Sequence, residues 1–272
     1  MKEEFTKITE DLKKFYETSE EYLRMINYKT NPHRIEVTRQ YVGFVVKEAQ
    51  GCKTVLDLGC GPGLSSYMLK EQGFIVTGLD ISQQFLDVSK HKESQTLHFI
   101  QGNVCALGFA DNSFDIIACH ELIEHIVKVD EALTEMKRVV KGGGKIIILA
   151  PNLFSPLSAL RAVFMAGEKA PFYASRLNAL RLFIQNSLLL VKKWLQKQPD
   201  FINVKPRLDN FSGSDADAVY LSAFLDIYKW FKNNGFKVTS ATFAQQGAPG
   251  KILSKYFPSF SSGIKIIAEK AK

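Results

Sequence analysis

The sequence predicts an α/β protein: a doubly wound, mostly parallel seven-stranded sheet, with a helical cap ahead of it and a helical insertion after the fifth strand. Three observations carry this. Apolar runs of strand length alternate with helix-length segments along the chain. One run, Val55-Leu56-Asp57-Leu58, ends in the glycine-rich bend Gly59-Cys60-Gly61-Pro62-Gly63, where missing Cβ atoms let backbone approach a ligand. A helix and a strand further on, Phe74-Ile75-Val76-Thr77-Gly78-Leu79 ends in Asp80. At the carboxyl edge of the strand beside the bend, that carboxylate can accept hydrogen bonds from both hydroxyls of a ribose. The pair of features is a nucleoside-binding arrangement.

Glycine spacing decides which nucleoside. A dinucleotide fingerprint places its third glycine three residues after the second, where the helix packs on the strand and faces a pyrophosphate. Here that position holds Leu64, and the third glycine is Gly63. The nicotinamide and flavin readings lose ground. The pattern instead resembles the first motif of class I S-adenosylmethionine-dependent methyltransferases, a Rossmann-like family whose cofactor has no pyrophosphate. The resemblance implies that Asp57, Gly59, Cys60, Gly61 and Gly63 hold the methionine end and that Asp80 holds the ribose. Asn103 and Val104 are placed beside the adenine, and Ile81 and Cys119 complete the cofactor-binding set. The family more often has Asp where this chain has Asn103. Because the adenine amine is a donor, the Asn carbonyl can still accept from it.

Further elements follow in order. Leu97 to Gln101 reads as the third strand, leaving through Gly102-Asn103-Val104, and Asp111-Asn112-Ser113 is a polar turn into the fourth strand, Phe114 to Cys119. Val129 to Val140 has amphipathic helical spacing, Lys141 to Lys145 forms a glycine turn, and Ile146 to Ala150 is a buried fifth strand. In outline, residues 51 to 152 are similar to the small-molecule methyltransferases of the ubiquinone-biosynthesis O-methyltransferase type (methyltransferase-11-like). Ahead of this core, residues 1 to 50 read as two or three helices broken at Lys29-Thr30-Asn31-Pro32, the second running from about Pro32 to Ala49. Residues 153 to 218 interrupt the alternation where this family often inserts a substrate lid. Residues 219 to 272 complete the sheet: a helix over Val219 to Asn234, a sixth strand over Phe236 to Phe243, and a seventh, antiparallel, over Ser262 to Glu269. One structural domain is expected.

A second constellation, Cys119-His120-Glu121-Leu122-Ile123-Glu124-His125, follows the fourth strand, whose exit faces the reacting methyl in the family's topology. If it begins a helical turn, Glu121, Glu124 and His125 fall at i, i+3 and i+4 and share one face. One use is general-base work, removing the proton of a hydroxyl nucleophile as the new bond forms. His125 is the first choice for that role, with His120, Glu121 and Glu124 beside it on the acceptor side. A second use is a divalent metal, since E-x-x-E-H resembles the ligand motif of metal-dependent small-RNA 3′-end methyltransferases. Those enzymes draw a further histidine from a later segment, and this chain has none after His125, so metal is the weaker choice. A third reading is that Glu124 and His125 only shape the turn. His33, after the Pro32 break, is able to reach the same cleft, although a surface position suits it better.

Composition bounds the rest. The 272 residues are 46% hydrophobic, enough for a full core, and carry a formal net charge of +7. Cys52, Cys60, Cys105 and Cys119 have no C-x-x-C spacing, which argues for buried thiols in a reducing compartment and against structural zinc. The start has no signal-peptide core and no apolar run approaches membrane-spanning length, so a cytoplasmic protein is expected, with a peripheral position at the inner membrane face as the alternative. Within residues 153 to 200, Arg161, Lys169, Arg176, Arg181, Lys192, Lys193 and Lys197 face only Glu168 and Asp200. Leu177, Leu180, Ile184, Leu188, Val191 and Leu195 recur there at helical spacing, widened by Phe183, Leu190 and Trp194, with Arg181, Lys192, Lys193 and Lys197 outside the apolar face. Such a helix over 177–197 packs as a lid, pairs with a twin subunit, or lies in an anionic membrane interface. Nucleic acid is disfavoured as a partner, because the cations alternate with aliphatics rather than with base-stacking residues. The expected activity is methylation of an oxygen on a small or lipid-linked acceptor by a monomer or homodimer. The alternatives are metal-assisted RNA 2′-O-methylation and non-catalytic binding of S-adenosylmethionine.

Overall fold

Seven apolar runs become strands of one sheet. In a computed structural model describing residues 2–27, 29, 31–156, 176–208, 216–240, 259 and 263–272, these are β1 (Thr54–Leu58), β2 (Ile75–Asp80), β3 (Leu97–Gln101), β4 (Phe114–His120), β5 (Val140–Pro151), β6 (Phe236–Ser240) and β7 (Gly263–Lys270). Their order is β3-β2-β1-β4-β5-β7-β6. Every pairing from β3 to β5 is parallel, and β7 runs antiparallel to both β5 and β6. Chain order reverses between β1 and β4, so the loops leaving these two strands diverge and open a crevice at the carboxyl edge.

The described helices are α1 (Lys2–Thr18), α2 (Glu20–Ile26), α3 (His33–Glu48), α4 (Leu64–Glu71), α5 (Gln83–Asp87), α6 (Val129–Val139), α7 (Arg176–Leu195) and α8 (Phe224–Asn233). Alternation along each strand sends side chains to two cores. Leu56, Ile117, Ile146 and Ile148 pack with Leu133 and Met136 of α6 and Ile227 and Phe231 of α8. Val55, Ile116, Ala118 and Ile147 face the other way, onto Tyr41 and Val45 of α3 and Leu69 of α4. Helices therefore cover both faces, and α3 belongs to one of these layers. A third cluster joins Leu12 and Tyr16 of α1 to Phe85 of α5, Val127 and Val219, which sets α1 and α2 over the exit of β2.

Several sequence expectations are corrected. The glycine turn at Lys141 to Gly144 is part of β5, where the register against β4 shifts between Phe114 and Ile116. A side chain on Gly144 would stand 2.7 Å from the Asp115 carbonyl oxygen, so close approach of the strands makes a bulge where a free turn was expected. The helix expected from Val219 begins at Phe224, because the Val219 and Tyr220 amides donate instead to the Glu124 carbonyl at 2.8 and 3.0 Å. Residues 241 to 243 of the expected sixth strand, Ser262 of the seventh, and Arg161, Glu168 and Lys169 of the insertion lie outside the described residues.

The largest correction concerns α7. Its body-facing side carries Ala179, Asn186 and Lys193, all buried, while Leu177, Leu180, Ile184, Leu188, Val191 and Leu195 are exposed. Lys193, expected among the solvated cations, donates to Asp226 Oδ2 at 2.6 Å and to the Asp200 carbonyl. Asp226 also accepts from the Asp200 amide at 3.1 Å and from the Tyr220 hydroxyl at 3.3 Å. A buried ion pair in this setting outweighs periodicity in choosing which face turns inward. Removing one partner strands the other charge, at a cost of about 3–5 kcal/mol. Lys193→Met should therefore lower unfolding stability in urea by that amount, and adding Asp226→Leu should recover about half of it; a loss below about 1 kcal/mol in the single variant would contradict the pairing.

Candidate active site

The bend after β1 is held by two carboxylates. Asp57, buried, accepts from Tyr41 Oη at 3.0 Å through Oδ1, and from Ser65 Oγ and Ser66 Oγ at 2.6 and 2.7 Å through Oδ2. The two serines stand in the first turn of α4, so Asp57 ties the strand to the helix beyond the bend. Asp80 accepts from the Gly61 amide at 2.8 Å and the Ser82 amide at 3.0 Å, which pins the middle of the bend to the end of β2. The Gly59 and Cys60 amides complete the link by donating to the Leu79 carbonyl at 2.8 and 3.1 Å.

Left-handed backbone makes the turn possible. Gly59, Gly61 and Gly63 have φ of +65°, +52° and +75°. Their surroundings differ. A Cβ on Gly63 would lie 2.7 Å from the Phe99 ring and 2.9 Å from Ser89 Cβ, whereas one on Gly61 would meet only Ile26 Cδ1 at 3.9 Å. Gly61 therefore presents bare backbone to the cleft, while Gly63 gives way to packing.

A cleft of about 950 Å³ opens at this edge of the sheet. Of the residues singled out in the sequence, Asp57 lines it from β1, Gly59, Cys60 and Gly61 from the bend, Asp80 and Ile81 from the end of β2 and its exit, and Asn103 and Val104 from the exit of β3. His120, Glu121 and His125 line it from the exit of β4. Gly63 stands back from the cleft, Cys119 is a core side chain among Leu56 and Ile117, and Glu124 is fully buried. The shared helical face is a correction: Ile123–His125 is a single 3-10 turn, and Glu121 before it has φ of +51°. Glu121 turns outward to Arg34, 2.6 Å away, while Glu124 turns inward. Among the described residues no group of three or more His, Cys, Asp and Glu side chains is placed to hold a metal ion.

His125 lies between two acids. Its Nδ1 is 3.3 Å from Asp217 Oδ2 and its Nε2 is 3.6 Å from Glu124 Oε1. Asp217, buried, also accepts from the Tyr16 hydroxyl at 2.8 Å, so α1 is tied through one carboxylate to the β4 exit. His120 stacks on Tyr41, centroids 5.1 Å apart. Asp217, Tyr16, Tyr22, Arg34 and Tyr41 all line the cleft and were not singled out by sequence. An acid flanked by Ala216, Ala218, Val219 and Tyr220 was the available signal for Asp217, since charge amid small and apolar residues implies a buried partner. His33 is exposed, and its neighbour Arg34 enters the cleft instead.

Burial sets the proton affinities. It pushes the Asp80 carboxyl up to about 6, against the lowering effect of the Ser82, Gly61 and Ile81 amides. It raises Asp57 as well, opposed by the Ser65, Ser66 and Tyr41 hydroxyls. Burial lowers the His120 imidazole, opposed by the Glu121 carboxylate. Burial alone would raise Glu121, but the charges of His120 and Arg34 outweigh it and hold the carboxylate ionised. The Cys60 thiol is pushed well up by burial, which removes it as a nucleophile near neutral pH.

Comparison with known proteins agrees with the fold. The fold is that of class I S-adenosylmethionine-dependent methyltransferases: the chain superposes on an S-adenosylmethionine dependent methyltransferase from Mesorhizobium loti with a TM-score of 0.53 at 14% identity, over 84% of this chain and 95% of that one. A magnesium protoporphyrin IX methyltransferase from Synechocystis, solved with bound S-adenosylhomocysteine, gives 0.52 at 16% identity, covering 87% and 83%. Residues 56–148 match the methyltransferase domain family. A ubiquinone biosynthesis O-methyltransferase of Coxiella burnetii is 35% identical over 125 residues, 45% of this chain and 51% of that protein. The chain thus spans about half the length of the curated relatives it matches.

The two glycine environments separate experimentally. Gly61→Ala meets only left-handed strain, about 1–2 kcal/mol, whereas Gly63→Ala adds a clash worth about 1–3 kcal/mol more. Denaturant unfolding should rank Gly63→Ala as the less stable variant; the reverse order would contradict the packing described for the bend.

Proposed function

We propose that this chain is an S-adenosylmethionine-dependent methyltransferase that methylates an oxygen of a small or lipid-linked acceptor. The observation that carries the reading is convergence: the β1 bend, Asp80, the Asn103-Val104 exit and the His120 to His125 segment line one cleft at the switch point of the sheet. The relatedness of its core to an O-methyltransferase of ubiquinone biosynthesis supports an oxygen acceptor.

The residues present fit the cofactor. Gly61 offers backbone free of side-chain bulk, and the Asp80 carboxylate, held by backbone amides at the rim of the cleft, keeps acceptor capacity for ribose hydroxyls. Asp57 uses most of its capacity on Tyr41, Ser65 and Ser66, so its main work is to hold the bend, with one Oδ1 lone pair remaining. The Asn103 carbonyl caps its own turn by accepting from the Cys105 amide at 2.9 Å and has a second lone pair for the adenine amine. The cofactor, when bound, supplies an activated methyl on a sulfonium. Transfer then depends on holding an acceptor oxygen in line and keeping water out, which α1 and α2 provide by closing over the cleft. His125 takes the acceptor proton, and Asp217 with Tyr16 behind it fixes the ring and stabilises the imidazolium that forms.

Three measurements test this. Asp80→Ala should weaken S-adenosylhomocysteine binding by at least about thirtyfold in calorimetry, since two charge-assisted hydrogen bonds are lost; unchanged affinity would overturn the ribose assignment. His125→Ala should lower transfer of labelled methyl to phenolic acceptors by about a hundredfold or more, while leaving cofactor affinity within about threefold. Equal turnover would remove His125 as the base. The third is pH dependence. Asp80 must be ionised to accept both hydroxyls, so affinity should fall as pH drops below about 6. Because its folded proton affinity is raised, the stability it contributes runs oppositely: fully present below the carboxyl's ordinary value and lost as pH rises through about 6. Affinity flat from pH 7.5 to pH 5 would contradict it.

A further inference from the structure

Among the described residues, the outward face of α7 stands exposed. Nine large hydrophobic side chains are exposed among the described residues, and seven of them belong to this one helix: Leu177, Leu180, Ile184, Leu188, Val191, Trp194 and Leu195. At 3.6 residues per turn, six of the seven form a continuous stripe over about 30 Å of helix, with Trp194 at its edge. Scattered exposed leucines need no explanation, but a contiguous stripe of this length marks an interaction site. The helix is not loose. Lys193 is buried on Asp226, Lys229 donates to the Lys193 and Gln196 carbonyls, and Asn186 and Ala179 are buried on the inner side. The stripe is thus held outward by a fixed polar attachment on the opposite face.

Charge selects the occupant. The α7 sequence contains no acid. Arg181 and Lys192 follow one edge of the stripe and are exposed, and Lys197, just past the helix end, is exposed as well. The acid near them, Asp200, stands 3.8 Å from Lys192 and is itself solvated. A second copy laid on this face would bring like charges together with no acid on the stripe to answer them. An anionic lipid surface answers both features: acyl chains take the leucines, phosphate groups take the cations at the edge, and an indole suits the boundary between them. No described helix is long and apolar enough to cross a membrane, which is consistent with a helix lying in the interface plane.

We propose that the exposed stripe of α7 docks the protein peripherally on anionic membranes. This inference rests on the helix surface alone and stands whether or not the cleft transfers methyl groups.

The test uses vesicle flotation and tryptophan emission on the full chain. Trp194 is 72% exposed and the only other tryptophan, Trp230, is 3% exposed, so an emission change on adding vesicles reports α7. At about 50 mM salt the protein should float with phosphatidylcholine vesicles containing about 30% phosphatidylglycerol, with a blue-shifted emission, and should stay behind with pure phosphatidylcholine. Ile184→Asp with Leu188→Asp, and separately Arg181→Glu with Lys192→Glu, should each cut partitioning at least about tenfold while leaving thermal unfolding and S-adenosylhomocysteine affinity unchanged. The proposal is overturned if the native protein does not float, if it binds neutral vesicles equally, or if both variants bind as well as the native chain. It is likewise overturned if light scattering shows a dimer that Ile184→Asp with Leu188→Asp dissolves, with Trp194 already blue-shifted before lipid is added.

Discussion

Two buried carboxylates hold the bend between β1 and α4, and the rest of the site is arranged around them. Asp57 gathers Tyr41, Ser65 and Ser66, and thereby locks α3, β1 and α4 together. Asp80 takes the Gly61 amide and so forces the left-handed backbone to face the cleft. Neither acid sits comfortably there, since burial raises the proton affinity of both. The bend persists because hydroxyls and amides over-determine it. A site whose carboxylate is costly to ionise is also one that gains most when hydroxyl donors, here the proposed ribose, arrive, which is where strain at functional positions is expected to be used.

The far wall of the cleft is built on a different plan. Glu121 adopts a left-handed backbone that non-glycine residues seldom take, and its carboxylate reaches across to Arg34 of α3. Beyond it, His125, Asp217 and Tyr16 join the β4 exit, the segment before α8 and the N-terminal cap. Three parts of the chain far apart in sequence thus share one charged cluster. The cap is coupled to the chemistry it covers, because moving α1 removes a hydrogen-bond donor from the acid behind the proposed base.

Much of this was readable before any coordinates. The strands, their alternation and the bend were legible because each depends on short-range rules: apolar runs, period two, and glycine where φ must be positive. Asp80 was legible because its place follows from one parallel pairing, β1 on β2. What failed needed tertiary information. A helical face for Glu121, Glu124 and His125 assumed regular φ, and the left-handed Glu121 broke it. The setting of Asp217 among small and apolar residues signals a buried partner, but which partner is a tertiary fact: Tyr16 and His125 both lie far from it in the sequence. On α7 both sides of the helix are apolar enough to be buried, so periodicity found the helix and Asp226, on another helix, chose the face. The Gly142 to Gly144 run signals a turn and a bulge equally well, and only its neighbour Asp115 decides between them.

The central claim is that the bend and the acid of β2 together grip an adenosyl sulfonium compound rather than a dinucleotide. Parallel calorimetric titrations of the native chain with S-adenosylhomocysteine and with a nicotinamide dinucleotide test it most directly. Saturable one-to-one binding of the first, with no heat from the second, is the predicted result. Absence of binding by S-adenosylhomocysteine, or a preference for the dinucleotide, would contradict it.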